Sequence, residues 1–393
     1  MSKKKILIVD DSALMRRVLC DIINSDERFE VIDTAIDGAE GFKLICAREY
    51  DAVVLDVYMP RMTGLQMLKE LQNSNVHAKV LMASTTTSEG ARETLDALEL
   101  GAIDFIKKPE NVADARHDEF RNRFLTLLDV VANSRGIQRH HIPVRNSGTE
   151  KAPTFSARYD VNFHTRGESD MKRLNEKATK STFTNISQQS NVVIKPYKAV
   201  SGNKIVAIAS STGGPRALQD VIPRLPANLN APVLLVQHMP KGFTASLADR
   251  LNEISEIKVS EAKEGDILEK GHVYIAPGGT HMKAIKKGAL YHITLSDEPA
   301  REGVKPCANY MYESLMDSTY DEVVCAVLTG MGADGTAGIK ALNDKKKLFV
   351  VAQDEESSTV YGMPRAIANT GLCNSIVPLD SVAEQIIKNV GVR

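Results

Sequence analysis

Two doubly wound, mostly parallel α/β sheet domains joined by a long polar linker are what this sequence predicts. Short apolar runs alternate with helical patterns over 1–133, the rhythm disappears over 134–201, and it resumes over 202–393. A chain of 393 residues is also too long for one typical core, so two are expected.

In the first domain, 1–133, strands are expected at 5–9, 31–35, 52–55, 79–83 and 103–106. These runs are rich in Val, Ile, Leu and Ala, the composition of strands covered on both faces. Helices are expected at 14–23, 39–47, 65–71, near 90–100 and from about 118 to 131, giving five βα units and a parallel sheet. Over 134–201, Ser, Thr, Asn, Gln, Arg and Lys dominate. Large apolar side chains are too few to offset the entropy of ordering, which predicts a flexible basic linker. In the second domain, 202–393, strand-like runs fall at 205–209, 232–237, 272–276, 290–295, 323–329 and 348–352. Helical patterns lie at 217–225, 243–254, 308–318, 335–342 and 382–390.

The formal net charge of -1 divides into -6 over 1–133, +7 over 134–200 and -2 over 201–393. The basic charges are dispersed among few aromatics, and the near-neutral second domain has no helix-turn-helix pattern, so nucleic acid is not an expected partner. No apolar run approaches the ~18 residues needed to span a bilayer, and direct membrane insertion is not expected. The start Met1-Ser2-Lys3-Lys4-Lys5 leads into an apolar run too short for a signal-peptide core, so a cytoplasmic protein is expected. Five cysteines without a CxxC pair indicate buried thiols rather than a disulfide framework or zinc site.

Asp10 and Asp11 follow the first strand and Asp56 ends the third. In a five-stranded doubly wound sheet these strands flank the switch point, so the carboxylates converge, and grouped carboxylates suit Mg²⁺. Ser84 and Lys108, at the ends of the fourth and fifth strands, reach the same crevice with a hydroxyl and an ammonium. Together these groups can accept a phosphoryl on Asp56 and neutralise its oxygens. With Met59-Pro60, Gly64, Phe105 and Lys108-Pro109, the first ~125 residues resemble a response-regulator receiver domain. The resemblance implies phosphorylation of Asp56 by a histidine-kinase phosphodonor, Mg²⁺ on Asp10, Asp11 and Asp56, and a switch pair Ser84 and Phe105.

In the second domain Ser211, His238 and Asp334 stand at three strand ends. A serine hydroxyl needs a base, and an imidazole needs a carboxylate to fix its tautomer, so the three form a candidate triad. On residue type alone Ser210 competes with Ser211, and His272, His281 and His292 compete as bases. A rival reading comes from Gly330, Gly332 and Gly335, which spell GxGxxG between strand and helix, with Asp354 beyond the next strand. That pattern fits a dinucleotide site and an oxidoreductase.

The segments Ser210-Ser211-Thr212-Gly213-Gly214, Gln237-His238-Met239-Pro240, Ala276-Pro277-Gly278-Gly279-Thr280-His281, Thr329-Gly330-Met331-Gly332-Ala333-Asp334-Gly335 and Gly362-Met363-Pro364 resemble, in order, the catalytic domain of the chemotaxis protein-glutamate methylesterase family. Ser210 departs from the alanine frequent there. The resemblance implies Ser211 as nucleophile, His238 as base and then acid, and Asp334 as orienting carboxylate. It also implies an oxyanion pocket with the Met331 N–H, Thr212 and His281. Ester hydrolysis then needs no cofactor. The implied substrates are glutamate γ-methyl esters on methyl-accepting chemotaxis receptors, with deamidation of receptor glutamines as related chemistry. The receiver is expected to cover the catalytic entrance until it is phosphorylated. A receiver fused to a non-catalytic receptor-binding module is the other class.

Overall fold

The computed structural model describes residues 2–84, 88–109, 114, 117–134 and 194–393. In the amino-terminal domain, β1 (Lys4–Val9), β2 (Phe29–Ala35), β3 (Ala52–Asp56), β4 (Val80–Ser84) and β5 (Asp104–Lys107) form a sheet of order β2-β1-β3-β4-β5, parallel at every pair. Ile6, Leu7, Ile8 and Val9 are all fully buried, as expected of a strand with helices on both faces. Among the described residues the helices are α1 (Ala13–Asn24), α2 (Gly38–Ala47), α3 (Gly64–Asn73), α4 (Ser88–Glu99) and α5 (Asp118–Asn133). Local chemistry starts three of them. Ser12 accepts from the Met15 N–H, Asp37 from the Glu40 N–H, and Thr63 forms a reciprocal capping box with Gln66.

In the carboxy-terminal domain, β6 (Lys204–Ser210), β7 (Val233–Gln237), β8 (Lys258–Glu261), β9 (His272–Ile275), β12 (Glu322–Val327), β13 (Leu348–Gln353) and β14 (Ser375–Val377) form a seven-stranded sheet. Its order is β14-β13-β12-β6-β7-β9-β8, again parallel throughout. The chain winds outward from β6 in one direction through β7 and in the other through β12. The crevice beyond the carboxyl ends of β6 and β12 is therefore the switch point, where such sheets hold their chemistry. The helices are α6 (Gly214–Val221), α7 (Phe243–Ile254), α8 (Ala308–Glu313), α9 (Thr336–Asn343), α10 (Met363–Ala368) and α11 (Leu379–Val390).

Two expected elements differ. The run 290–295 does not join the main sheet: β11 (Leu290–Ser296) pairs with β10 (His281–Lys287) as a separate antiparallel hairpin. The helix expected over 308–318 stops at Glu313. There the Ser314 hydroxyl donates back to the Met311 carbonyl while accepting the Ala284 N–H, which ties the helix end to the hairpin.

Most of the segment expected as linker lies outside the described residues. Residues 194–201 run along the carboxy-terminal domain. The Lys195 N–H donates to the Cys373 carbonyl at 2.7 Å, and the Tyr197 hydroxyl donates to Glu322 at 3.0 Å. The two domains also share one apolar layer, in which Leu95, Leu98 and Phe105 belong to the same buried cluster as Leu218, Phe243 and Leu247. No helix among the described residues is long and apolar enough to cross a membrane.

Candidate active site

At the amino-terminal switch point the structure brings Asp10, Asp11 and Asp56 together, with ligand oxygens within 4.8 Å of one another. The Lys108 ammonium lies 2.5 Å from Asp10 and 2.6 Å from Asp56. Burial pushes the Asp56 carboxyl up to about 6, against the pull of Lys108 and with the help of Asp10. Three converging carboxylates, two of them buried, fit a hard divalent cation bound through oxygen. Ser84 is fully buried at the end of β4. It donates to the Gly90 carbonyl and accepts from the Thr94 hydroxyl at 2.6 Å.

Phe105, one strand further, does not face solvent. It stacks on Phe243 of α7, with centroids 4.6 Å apart. Around this stack, Arg250 of α7 forms a two-armed bond with Glu99 at the end of α4, at 2.8 and 3.1 Å. Leu98, Ala102 and Ile103 face Gly213, Pro215, Arg216 and Thr359 across the seam. Burial raises the Asp104 carboxyl above the usual range, against the pull of the nearby Thr212. The amino-terminal domain thus touches the residue next to Ser211.

Ser211 follows β6 at the second switch point and is partly buried. Its N–H donates to the Thr329 carbonyl at 3.0 Å, and its carbonyl accepts the Gly214 N–H at 2.7 Å. Gly330 has to be glycine, because a Cβ there would stand 2.7 Å from Ser211 Cβ and 2.5 Å from Met363 Sδ. His238 follows β7, and its Nε2 lies 2.7 Å from Asp334 Oδ2 with both side chains largely buried. With that nitrogen donating to the carboxylate, Nδ1 is the basic nitrogen.

Asp334 is 3 % exposed. Burial opposes its charge, but donation from His238, Cys307 and the Ala308 N–H holds its carboxyl at about 2. Among the described residues, the Met331 N–H donates to no protein acceptor and the Met331 side chain is exposed at the mouth of this crevice.

Other residues from the sequence reading have different places. His281 is fully buried below the crevice. Its Nδ1 accepts the Cys307 N–H and its Nε2 reaches the Pro299 carbonyl, both at 3.2 Å. Thr212 is buried near Asp104. Ser210 is fully buried and donates to Gln237 Oε1 at 2.7 Å, while Gln237 Nε2 donates to the Ser211 carbonyl at 3.0 Å. His272 bonds Ser260, and His292 bonds the Gly265 carbonyl in the hairpin region.

The glycine motif 330–335 is wrapped on itself. The Gly335 N–H donates to Asp334 and Asn309, and Asp354 is occupied by the Ser357 N–H and hydroxyl. That leaves the dinucleotide reading without its acidic partner. Asn309 and Cys307 were missed as site residues. Their only sequence signal is a position at the start of a helical run.

Residues 206–386 match the family profile described as CheB methylesterase, and residues 6–117 match the response regulator receiver domain. Along its length the chain is 37% identical over 396 residues to the protein-glutamate methylesterase/protein-glutamine glutaminase of Geobacillus kaustophilus, covering 100% of both chains. It is 38% identical over 386 residues to the protein of the same description from Bacillus subtilis, covering 97% of each. Among solved structures, the Thermotoga maritima CheB methylesterase catalytic domain is 38% identical; the match covers 48% of this chain and 99% of that one, with a TM-score of 0.46.

Proposed function

Because this chain belongs to the protein-glutamate methylesterase/protein-glutamine glutaminase family, with a receiver ahead of a CheB methylesterase domain, we propose that it hydrolyses glutamate γ-methyl esters on methyl-accepting chemotaxis receptors. The observation that carries this reading is the 2.7 Å bond between His238 and Asp334, with Ser211 following β6, which pairs with β7, the strand that precedes His238. In the proposed reaction the Ser211 hydroxyl gives its proton to His238 Nδ1 as its oxygen bonds to the ester carbonyl carbon. The developing oxyanion takes the Met331 N–H. The C–O bond to the methoxy group breaks, and His238 returns the proton so that methanol leaves. A water then gives a proton to His238 and attacks the Ser211-glutamyl ester, releasing glutamate and restoring Ser211. The same steps with ammonia leaving deamidate glutamine. Asp334 keeps the proton of His238 on Nε2 and stabilises the imidazolium.

In this reading Asp56 accepts a phosphoryl group from the chemotaxis histidine kinase. Asp10, Asp11 and Asp56 would hold Mg²⁺, which offsets phosphoryl charge when bound. The contacts of Phe105, Glu99 and Asp104 with the catalytic domain support inhibition by the unphosphorylated receiver. The test is methanol release from methylated receptor membranes. Wild type should release methanol, faster with a small-molecule phosphodonor and Mg²⁺, and Ser211→Ala should lower the rate at least about 10⁴-fold. Release that survives in Ser211→Ala would exclude this nucleophile, and release indifferent to the phosphodonor would exclude the regulation.

A further inference from the structure

We propose that Cys307 is a positioning residue for the reaction, its thiol donating to Asp334 Oδ1 and so turning the carboxylate to present Oδ2 to His238. This rests on the hydrolase reading above.

Among the described residues Asp334 accepts five bonds. Oδ1 takes the Cys307 thiol at 3.0 Å and the N–H groups of Asn309 and Gly335 at 3.0 and 2.8 Å; Oδ2 takes the Ala308 N–H at 2.6 Å and His238. Among the described residues, the thiol is the only side-chain donor on Asp334 besides His238, so it alone can be removed without moving the backbone. It is aimed from behind. Cys307 is fully buried, its N–H is held by His281 Nδ1, and His281 is in turn held by the Pro299 carbonyl.

The thiol adds a third donor on Oδ1, beside the Asn309 and Gly335 N–H groups, and stiffens the carboxylate against rotation about its Cβ–Cγ bond, which would lengthen the bond that fixes the tautomer of His238. Burial, with the Asp334 charge, pushes the thiol up to about 12, so it stays protonated and remains a donor across the working pH range. The other titratable groups facing this pair are His281 and Arg301 beside Cys307, and Tyr312 beneath Asp334.

The thiol draws charge from the carboxylate. Its removal concentrates that charge on the bond to His238, which stabilises the imidazolium. Full-length wild type, Cys307→Ala and Cys307→Ser should be compared in the pH profile of methanol release and in the His238 ring titration followed by NMR. In Cys307→Ala we expect kcat to fall about two- to tenfold with KM unchanged, and the His238 midpoint to rise. Cys307→Ser, which keeps a donor, should recover most of both. A folded Cys307→Ala with unchanged His238 midpoint and rate overturns the proposal.

If the alanine variant does not fold, the S–H Raman band of Cys307, read in a protein whose other four cysteines are replaced by serine, decides. A band lowered relative to non-donating thiols supports the bond, and a free-thiol frequency overturns it. A wild type that releases no methanol, but whose His238 midpoint still responds to Cys307→Ala, refutes the hydrolase reading and leaves the positioning intact.

Discussion

Phe105, on β5 of the receiver, stacks on Phe243 at the start of a catalytic-domain helix, with ring planes 25° from parallel. This aromatic pair packs the domain that carries Asp56, the proposed phosphorylation site, against the domain that carries Ser211, the proposed nucleophile. Arg250 and Glu99 brace that pair from a partly exposed position, where an ion pair contributes up to about 1 kcal/mol. Arg250→Ala should therefore raise methanol release without phosphodonor about two- to fivefold and shrink the gain on adding it. The exchanged pair Glu99→Arg with Arg250→Glu should restore low basal release. Basal release that stays flat or falls in Arg250→Ala would count against a closed receiver.

Ser210 and Ser211 are adjacent hydroxyls with separate tasks. Ser210→Ala leaves Gln237 Oε1 buried without its donor and frees the amide that holds the Ser211 carbonyl. An unsatisfied buried acceptor costs about 1–3 kcal/mol of stability. A modest drop in kcat should accompany that loss, in contrast to the near-complete loss in Ser211→Ala. Parallel rate assays and urea titrations separate the two roles. Equal rate losses in both variants would contradict the assignment.

At Gly330 the smallest addition should be enough to stop turnover. A methyl group there must displace Ser211 or Met363. A nucleophile displaced by ~1 Å loses about 100-fold in rate. Gly330→Ala is expected to lose at least that in kcat while keeping a cooperative unfolding transition. Full activity in the variant would show that the loop has room to yield.

Acid should weaken the carboxy-terminal domain through His272. This ring is 6 % exposed and lies 3.9 Å from the Tyr274 ring, and burial lowers its imidazole to about 4. The folded state favours the neutral ring, whereas the unfolded chain titrates near 6.5. Its contribution is complete above pH ~6.5 and is lost as the pH falls toward 4, by about 3 kcal/mol in all. Urea midpoints at pH 8 and pH 5 should drop further in wild type than in His272→Gln. The same drop in both would remove His272 as the cause.

Much of this was legible in the sequence for physical reasons. Strands covered on both faces must be apolar throughout, so β1, β3, β6 and β12 stand out as runs; the ends of the first two mark where Asp10 and Asp56 meet, and the ends of the other two lead into Ser211 and into the loop that carries Asp334. Contacts between side chains from distant segments carry no periodic signal. Nothing in the spacing of Phe105 indicates Phe243 as its neighbour, and a buried thiol such as Cys307 reads as core until its acceptor is seen. The hairpin of β10 and β11 was half legible. Its second strand has an apolar run, whereas its first carries Lys283, Lys286 and Lys287 and reads as loop.

The bond from the Ser211 N–H to the Thr329 carbonyl joins the ends of β6 and β12, and Gly330 fills the space beside Ser211 Cβ. The proposed nucleophile and the loop carrying Met331 are therefore held in register by pairing between strands distant in the chain, not by either segment alone. A partly unfolded molecule that keeps all its helices but loosens these two strands would retain every proposed catalytic side chain and is expected to hydrolyse nothing. Turnover in such a protein is a stringent gauge of native pairing at its central strands.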